Sequence, residues 1–247
     1  MLLKNKVAVI TGCNRGIGKK ILEKFSDNGA TIYACVRNSS KEFQKDIEIL
    51  ENKNQNKIEI IPFDLSDDQK TIDAANQIIL KKQKIDLLVN NAGIISTSLF
   101  QMTKIDEFKK IFKINFFNQA LFTQKIIRVM EKDSSIVFIS SSSASDNNLG
   151  RSAYSSSKAS INSLALTLSK ELGPLKIRVN SIEPGLTETE MMKNNTSKEL
   201  IDKMINQNIS MKRVGLPEEI ANVALFLASD LSSYITGQVI RADGGLI

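Results

Sequence analysis

The sequence predicts an α/β protein built on a doubly wound, mostly parallel sheet of about seven strands with helices on both faces. Three observations lead there. Short apolar runs alternate with amphipathic stretches along the whole chain, which calls for crossover connections and hence parallel strands. The runs are apolar throughout rather than alternating, as expected of strands covered on both faces. Finally, no linker, composition shift or internal repeat divides the 247 residues. One extended sheet can hold that length, so a single catalytic domain over 1–247 is expected.

The elements follow in order. KVAVIT (6–11) reads as the first strand, and Ile17, Ile21, Leu22 and Phe25 mark one face of the first helix. ATIYACV (30–36) is the second strand; Phe43, Ile47 and Leu50 line the second helix, which runs out in the polar loop ENKNQNK (51–57). KIEIIPF (57–63) and KIDLLVNN (84–91) are the third and fourth strands. Residues 106–131 read as a helix apolar over most of its circumference, from Phe108 to Met130, followed by SSIVFISS (134–141) as the fifth strand. A helix over 153–172, with Leu164, Leu166 and Leu168, leads to KIRVNSIEP (176–184). A long connection (186–215) then precedes the last strand, QVIRA (238–242). Because an outer helix rests one side on the sheet, the second apolar side of 106–131 predicts contact with another copy of the chain, in a dimer or tetramer; cover by a long loop is the other possibility.

Composition narrows the class. With 42% hydrophobic and 24% charged residues the chain is ordinary globular protein. The N-terminal apolar run is too short for a signal peptide and no segment is long enough to span a membrane, so a cytoplasmic enzyme is expected. Cys13 and Cys35 lack metal-ligand spacing and read as free thiols, with no metal site expected. The net charge of +6 is spread over many segments without interleaved aromatics, which argues against nucleic acid and favours anionic small molecules or an acidic carrier.

VAVITGCNRGIGKKI runs from a strand through three glycines into a helix. In Gly12-Cys13-Asn14-Arg15-Gly16-Ile17-Gly18 the glycines allow a tight turn and close approach of the backbone to a pyrophosphate, while the helix N-terminus offers free amides to an anion. At the end of the second strand, where an NAD enzyme places an acid for the ribose 2′-hydroxyl, Val36 stands and Arg37 follows. Together with Arg15 this supplies two guanidinium forks suited to a 2′-phosphate, so NADP(H) is the expected cofactor.

The chain has no histidine, so any acid or base near neutrality must come from another group with a shifted pKa. Tyr154 and Lys158 stand at i and i+4 of the expected helix, about 5–6 Å apart at their β-carbons. An ammonium about 4 Å from a phenol contributes about 4 kcal/mol at an effective dielectric of 20, enough to lower the phenol by roughly three pH units.

In these features the chain resembles the short-chain dehydrogenase/reductase family, in its single-domain, Rossmann-like branch. The resemblance covers essentially the whole length: T-G-x-x-x-G-I-G at 11–18, Asp64-Leu65, Asn90-Asn91-Ala92-Gly93, Asn115, a serine thirteen before the tyrosine, Tyr154-Ser-Ser-Ser-Lys158, Pro184-Gly185, Thr236-Gly237 and Asp243-Gly244-Gly245. It implies that Tyr154 exchanges a proton with the substrate oxygen, that Lys158 holds the nicotinamide ribose and lowers the tyrosine pKa, and that Asn115 keeps a relay water. Ser141 would hold the substrate oxygen, with Ser142 the competing assignment. Asp64 and Leu65 would meet the adenine, and Asn91, Ala92 and Gly93 the riboses. Pro184, Gly185, Thr187 and Thr189 would wall the nicotinamide. Thr187 and Glu183 depart from the residue types common in the family.

The connection 186–215 reads as a substrate lid in which Met191, Met192, Met204 and Met211 could line an apolar pocket or simply pack. Within the family the pattern most resembles 3-oxoacyl-[acyl-carrier-protein] reductases of fatty acid biosynthesis, with Arg128, Lys132 and Lys176 as candidates to dock the acidic carrier. Reductases of sugars, steroids or small ketones share the framework, and a catalytically silent nucleotide-binding protein is a further possibility.

Overall fold

A computed structural model describes residues 1–247. Seven strands form one sheet with every pairing parallel: β1 (Val7–Thr11), β2 (Thr31–Val36), β3 (Ile58–Pro62), β4 (Ile85–Asn90), β5 (Met130–Ile139), β6 (Arg178–Pro184) and β7 (Val239–Ala242). Their order is β3-β2-β1-β4-β5-β6-β7. The doubly wound class is as expected. Order reverses between β1 and β4, so a crevice opens at the carboxyl ends of those two strands.

Ten helices accompany the sheet: α1 (Gly16–Asp27), α2 (Lys41–Asn54), α3 (Asp68–Leu80), α4 (Ile105–Phe112), α5 (Asn118–Ile126), α6 (Ser143–Asp146), α7 (Ser152–Leu172), α8 (Glu190–Asn195), α9 (Lys198–Gln207) and α10 (Pro217–Ala228). The period-2 alternation of strand side chains divides the interior. Ala8 and Ile10 join a core with Ile21, Leu22 and Phe25 of α1, Phe43 of α2 and Ala224 of α10. Val7 and Val9 face the other core, with Ile78 of α3, Phe122 of α5 and Ile161 of α7.

Three expectations are corrected. Residues 106–131 are two helices joined by a π-helical turn, Lys113–Phe117, and the chain is already extended at Met130. Residue β-strand pairing explains the early start of β5: Met130 pairs with Ile85 across an irregular step in the ladder. Conversely β5 stops at Ile139, so Ser140 and Ser141 lie past its end. Third, Arg128, Lys132 and Lys176 precede or open β5 and β6, at the edge of the sheet opposite the crevice. The seven steps from Lys132 to Ile139 span at most roughly 23 Å at 3.3 Å per residue, and none of the three cations lines the cleft of this chain.

Residues 186–215 leave β6 and return to a pinned neck, where Gly215 N donates to Leu186 O (2.9 Å) and Glu188 N to Gly215 O (2.9 Å). Between these bonds the excursion carries α8 and α9 over the crevice.

Candidate active site

The crevice is a cleft of about 1270 Å³. Its walls include every residue expected at the cofactor: Gly12, Asn14, Arg15, Gly16, Ile17, Gly18, Arg37, Asp64, Leu65, Asn91, Ala92, Gly93, Pro184, Gly185, Thr187 and Thr189. Ser141, Ser142, Tyr154 and Lys158 line the same cleft, whereas Asn115 lies behind its wall, fully buried.

The glycine turn is held by β4. Thr11 Oγ1 accepts from the amides of Asn91 (3.0 Å) and Ala92 (3.1 Å), and Asn91 Nδ2 donates to the carbonyls of Thr11 (3.1 Å) and Gly12 (2.9 Å). The Asn91 amide is therefore a tether for the turn. Close approach explains the glycines: at Gly12 (φ +65°) a β-carbon would lie 2.8 Å from Ala92 Cα, and at Gly18 2.2 Å from Gly12 O. α1 begins at Gly16 with no side chain capping it, which leaves first-turn amides free for an anion. This cradle fits the pyrophosphate of a dinucleotide.

Beyond it, Arg37 and Asp64 lie on the wall. Burial pushes the Asp64 carboxyl up, but the Ser66 amide and hydroxyl and the Arg37 charge outweigh it and hold the group below its ordinary range. Arg15 is engaged: its Nη1 pairs with Glu190 of α8 at 2.8 Å, both side chains being well exposed. Such a surface pair is worth about 0–1 kcal/mol and exchanges readily for a phosphate. Thr189 uses its hydroxyl to cap α8, accepting from Met192 N at 3.1 Å, and Thr187 Oγ1 donates to Gly185 O at 3.0 Å.

α7 places Tyr154 and Lys158 on its buried face. Lys158 Nζ donates to the carbonyl of Ile139, the last residue of β5, at 2.7 Å, and lies 6.0 Å from the centre of the Tyr154 ring. Burial lowers the ammonium to a pKa of about 8. Burial likewise raises Tyr154, while the Ser141 hydroxyl and the Arg151 charge act in the opposite direction. The activation of tyrosine by lysine drawn from helical spacing is thus corrected for the chain by itself: withdrawal from water is the largest influence on each group and favours its neutral form.

The two serines differ. Ser141, past the end of β5, is the one whose hydroxyl bears on Tyr154; its Oγ also accepts from Ser143 N at 3.2 Å. Ser142 donates its amide to Pro184 O (2.9 Å) and is 5% exposed.

Asn115 explains the π turn. Its Oδ1 accepts from Ile94 N (2.8 Å), and its Nδ2 donates to Ile94 O (2.9 Å) and to Ser157 Oγ (3.1 Å). An extra residue in the turn carries the side chain inward at a point where π-bulges commonly serve sites. Ser157 in turn donates to Tyr154 O at 2.7 Å. Sequence reasoning missed Ser157, Arg151 and Gln119, whose Nε2 donates to Ala92 O. Only the run of serines after Tyr154 hinted at the first, and a lone arginine or glutamine carries no signal without its neighbours.

On the substrate side Met191, Met192 and Met204 line the cleft together with Leu186 and Leu200. Met211 does not. It is 59% exposed and packs against Gly244 at the outer end of the lid.

Three comparisons bear on this geometry. The family model described as Enoyl-(Acyl carrier protein) reductase matches residues 12–247. The 3-oxoacyl-[acyl-carrier-protein] reductase FabG of Aquifex aeolicus is 37% identical over 247 residues, 99% of this chain and 98% of that protein. Among solved structures, a short-chain dehydrogenase from Burkholderia cenocepacia in complex with NADP superposes with a TM-score of 0.92 at 25% identity, covering 99% of each chain. A 7 alpha-hydroxysteroid dehydrogenase complexed with NADH and 7-oxo glycochenodeoxycholic acid gives 0.89 at 31%, covering 99% of this chain and 95% of that one. With the glycine turn at the β1/β4 switch point, the tyrosine and lysine one turn apart on α7, and a full-length match to such relatives, the chain belongs to the short-chain dehydrogenase/reductase family of oxidoreductases.

Proposed function

We propose that the chain is an NADP(H)-dependent oxidoreductase, a single catalytic domain that interconverts a ketone and a secondary alcohol, with a 3-oxoacyl group on an acyl carrier as its substrate. The observation that carries this is the convergence of Ser141, Tyr154 and Lys158 on one cleft with the glycine turn and the arginines Arg15 and Arg37. The first-turn amides of α1 hold the pyrophosphate, and Arg37, with Arg15 released from Glu190, holds a 2′-phosphate. The dinucleotide supplies the hydride when bound. Ser141 donates a hydrogen bond to the carbonyl oxygen, and Tyr154 gives that oxygen its phenolic proton, so that hydride and proton together convert C=O to CH–OH. Lys158, on the same helix face, holds the nicotinamide ribose and its charge offsets that of the tyrosinate left behind. Asn115, through Ile94 and Ser157, fixes the backbone behind this pair.

The choice of a 3-oxoacyl substrate rests on the relative from Aquifex aeolicus. A steroid ketone is the second reading, favoured by the 7-oxo bile acid named for a structural relative and by the apolar lid wall of Leu186, Met191, Met192, Leu200 and Met204. NADPH consumption measured with a 3-oxoacyl thioester, a 7-oxo bile acid and simple ketones decides between them. The proposal expects the highest kcat/KM for the thioester. A higher value for the steroid transfers the assignment, and no turnover of any carbonyl refutes the reductase.

A further inference from the structure

Glu183 stands near the end of β6, immediately before the Pro184-Gly185 wall of the cleft, and is completely buried. A carboxylate taken out of water needs donors. Ser145 Oγ shares its proton between Oε1 (2.9 Å) and Oε2 (3.0 Å), and Asn162 Nδ2 donates to Oε1 at 2.7 Å. Asn162 is oriented by Ser181, whose Oγ donates to its Oδ1 at 2.7 Å. Arg241, in register with Glu183 on β7, does not pair with it. Its Nη1 goes to Asp146 at 2.7 Å and its Nε to Asp243 at 2.6 Å.

Ser145 and Asp146 are consecutive residues of α6. The short helix is therefore hung from the sheet at two adjacent points, one by a neutral donor on Glu183 and one by an ion pair to Arg241. α6 begins two residues after Ser141 and is knitted to it: Ser143 N donates to Ser141 Oγ (3.2 Å) and Ala144 N to Ser141 O (2.9 Å). Whatever holds Ser145 also sets where the Ser141 hydroxyl stands relative to Tyr154.

We infer that Glu183 is a positioning residue for substrate reduction: through Ser145 it anchors α6 and so aims the Ser141 hydroxyl at the reacting oxygen. This rests on the role of Ser141 proposed above. It assigns a function to a buried carboxylate that touches neither substrate nor cofactor.

Two measurements test it, on the full chain with NADPH bound. The first is hydrogen exchange of the Ser141–Asp146 amides, which needs no substrate. Glu183→Ala should speed exchange there, Glu183→Gln, which keeps an acceptor for Ser145, should restore most of the protection, and Ser145→Ala should match Glu183→Ala. Unchanged exchange in Glu183→Ala overturns the tether. The second is a double-mutant cycle on kcat. A misplacement of about 1 Å costs on the order of 100-fold, so Glu183→Ala should lower kcat by about 10- to 100-fold with NADPH affinity retained, and should add almost nothing in a Ser141→Ala background. Multiplicative losses in the double variant, or a loss carried by NADPH affinity, overturn the inference in favour of a general structural role. A wild type inactive on every carbonyl refutes the reductase reading instead, and the exchange result then still judges the tether.

Discussion

Replacing Lys158 by methionine should stabilise the apoprotein while abolishing turnover. The lysine is 3% exposed and no carboxylate contributes to its shift; burial by itself takes its pKa from 10.5 to about 8. At about 1.4 kcal/mol per pH unit, that drop corresponds to about 3 kcal/mol by which the folded state disfavours the ammonium. Methionine keeps much of the volume and removes the charge, but leaves the Ile139 carbonyl without the donor it has at 2.7 Å, a loss of about 1 kcal/mol. The net gain is about 2 kcal/mol at pH 7, or roughly 4–8 °C in Tm for a chain of this size. The sign is checked by pH. Below about 8 both folded and unfolded wild type carry the proton and the full cost stands. From about 8 up to 10.5 the unfolded chain holds more protons than the folded one, so wild-type stability rises with pH. Urea unfolding of wild type and Lys158→Met, followed by circular dichroism at pH 7 and pH 9.5, should show the variant ahead at pH 7 and its advantage shrinking at pH 9.5. A variant less stable at pH 7, with a gap flat in pH, would refute the claim that burial governs this residue.

Further outcomes follow from the same geometry. Tyr154→Phe should lower turnover by about 10²- to 10⁴-fold with NADPH affinity preserved in a fluorescence titration. Ser141→Ala should cost about 10²- to 10³-fold in kcat and Ser142→Ala far less; the reverse order would move the substrate oxygen to Ser142. Arg15→Ala and Arg37→Ala should each weaken NADPH by roughly 10- to 100-fold, the range for a charge-assisted hydrogen bond, and leave NADH unchanged; equal losses would remove the NADP preference. Phe117 is 58% exposed and meets Phe112 at a tilt and Phe116 edge-on, so Phe117→Glu should convert a dimer or tetramer to monomers in sedimentation, and a monomeric wild type would refute the expected contact.

The sheet was legible because its signals are local. VAVIT leads into Gly12 and IDLLVN is apolar but for Asp86 and its closing Asn90, and every residue of β1 and β4 is buried. The helix at 106–131 was read wrongly for an equally physical reason. Periodicity sees Phe108, Phe112 and Phe116 recurring every four residues and cannot see that Asn115 finds its partners on the Ile94 backbone and on Ser157 of α7, contacts made only after β4 and α7 have packed. The docking cations, Arg128, Lys132 and Lys176, were misplaced similarly. Charge is visible along the chain, but which end of a parallel strand it occupies matters only once the crevice is known to lie at the carboxyl ends.

The chemistry divides along the same line. Helical spacing alone brings Tyr154 and Lys158 to one face of α7, so the pairing was available from four residues of separation. Its electrostatics were not, because Lys158 turns one of its N–H donors to the Ile139 carbonyl and both groups lose water. A buried phenol that is hard to ionise arrives at the substrate oxygen protonated at neutral pH, as reduction requires, but its raised pKa makes it a weaker acid. Reduction leaves the same tyrosinate that oxidation starts from, so the cost of a charged phenolate in a buried site bears on both directions. A positive charge beside Tyr154 offsets that cost, and Lys158, 6.0 Å from its ring centre, and Arg151, whose charge lowers the phenol, stand where they can supply it.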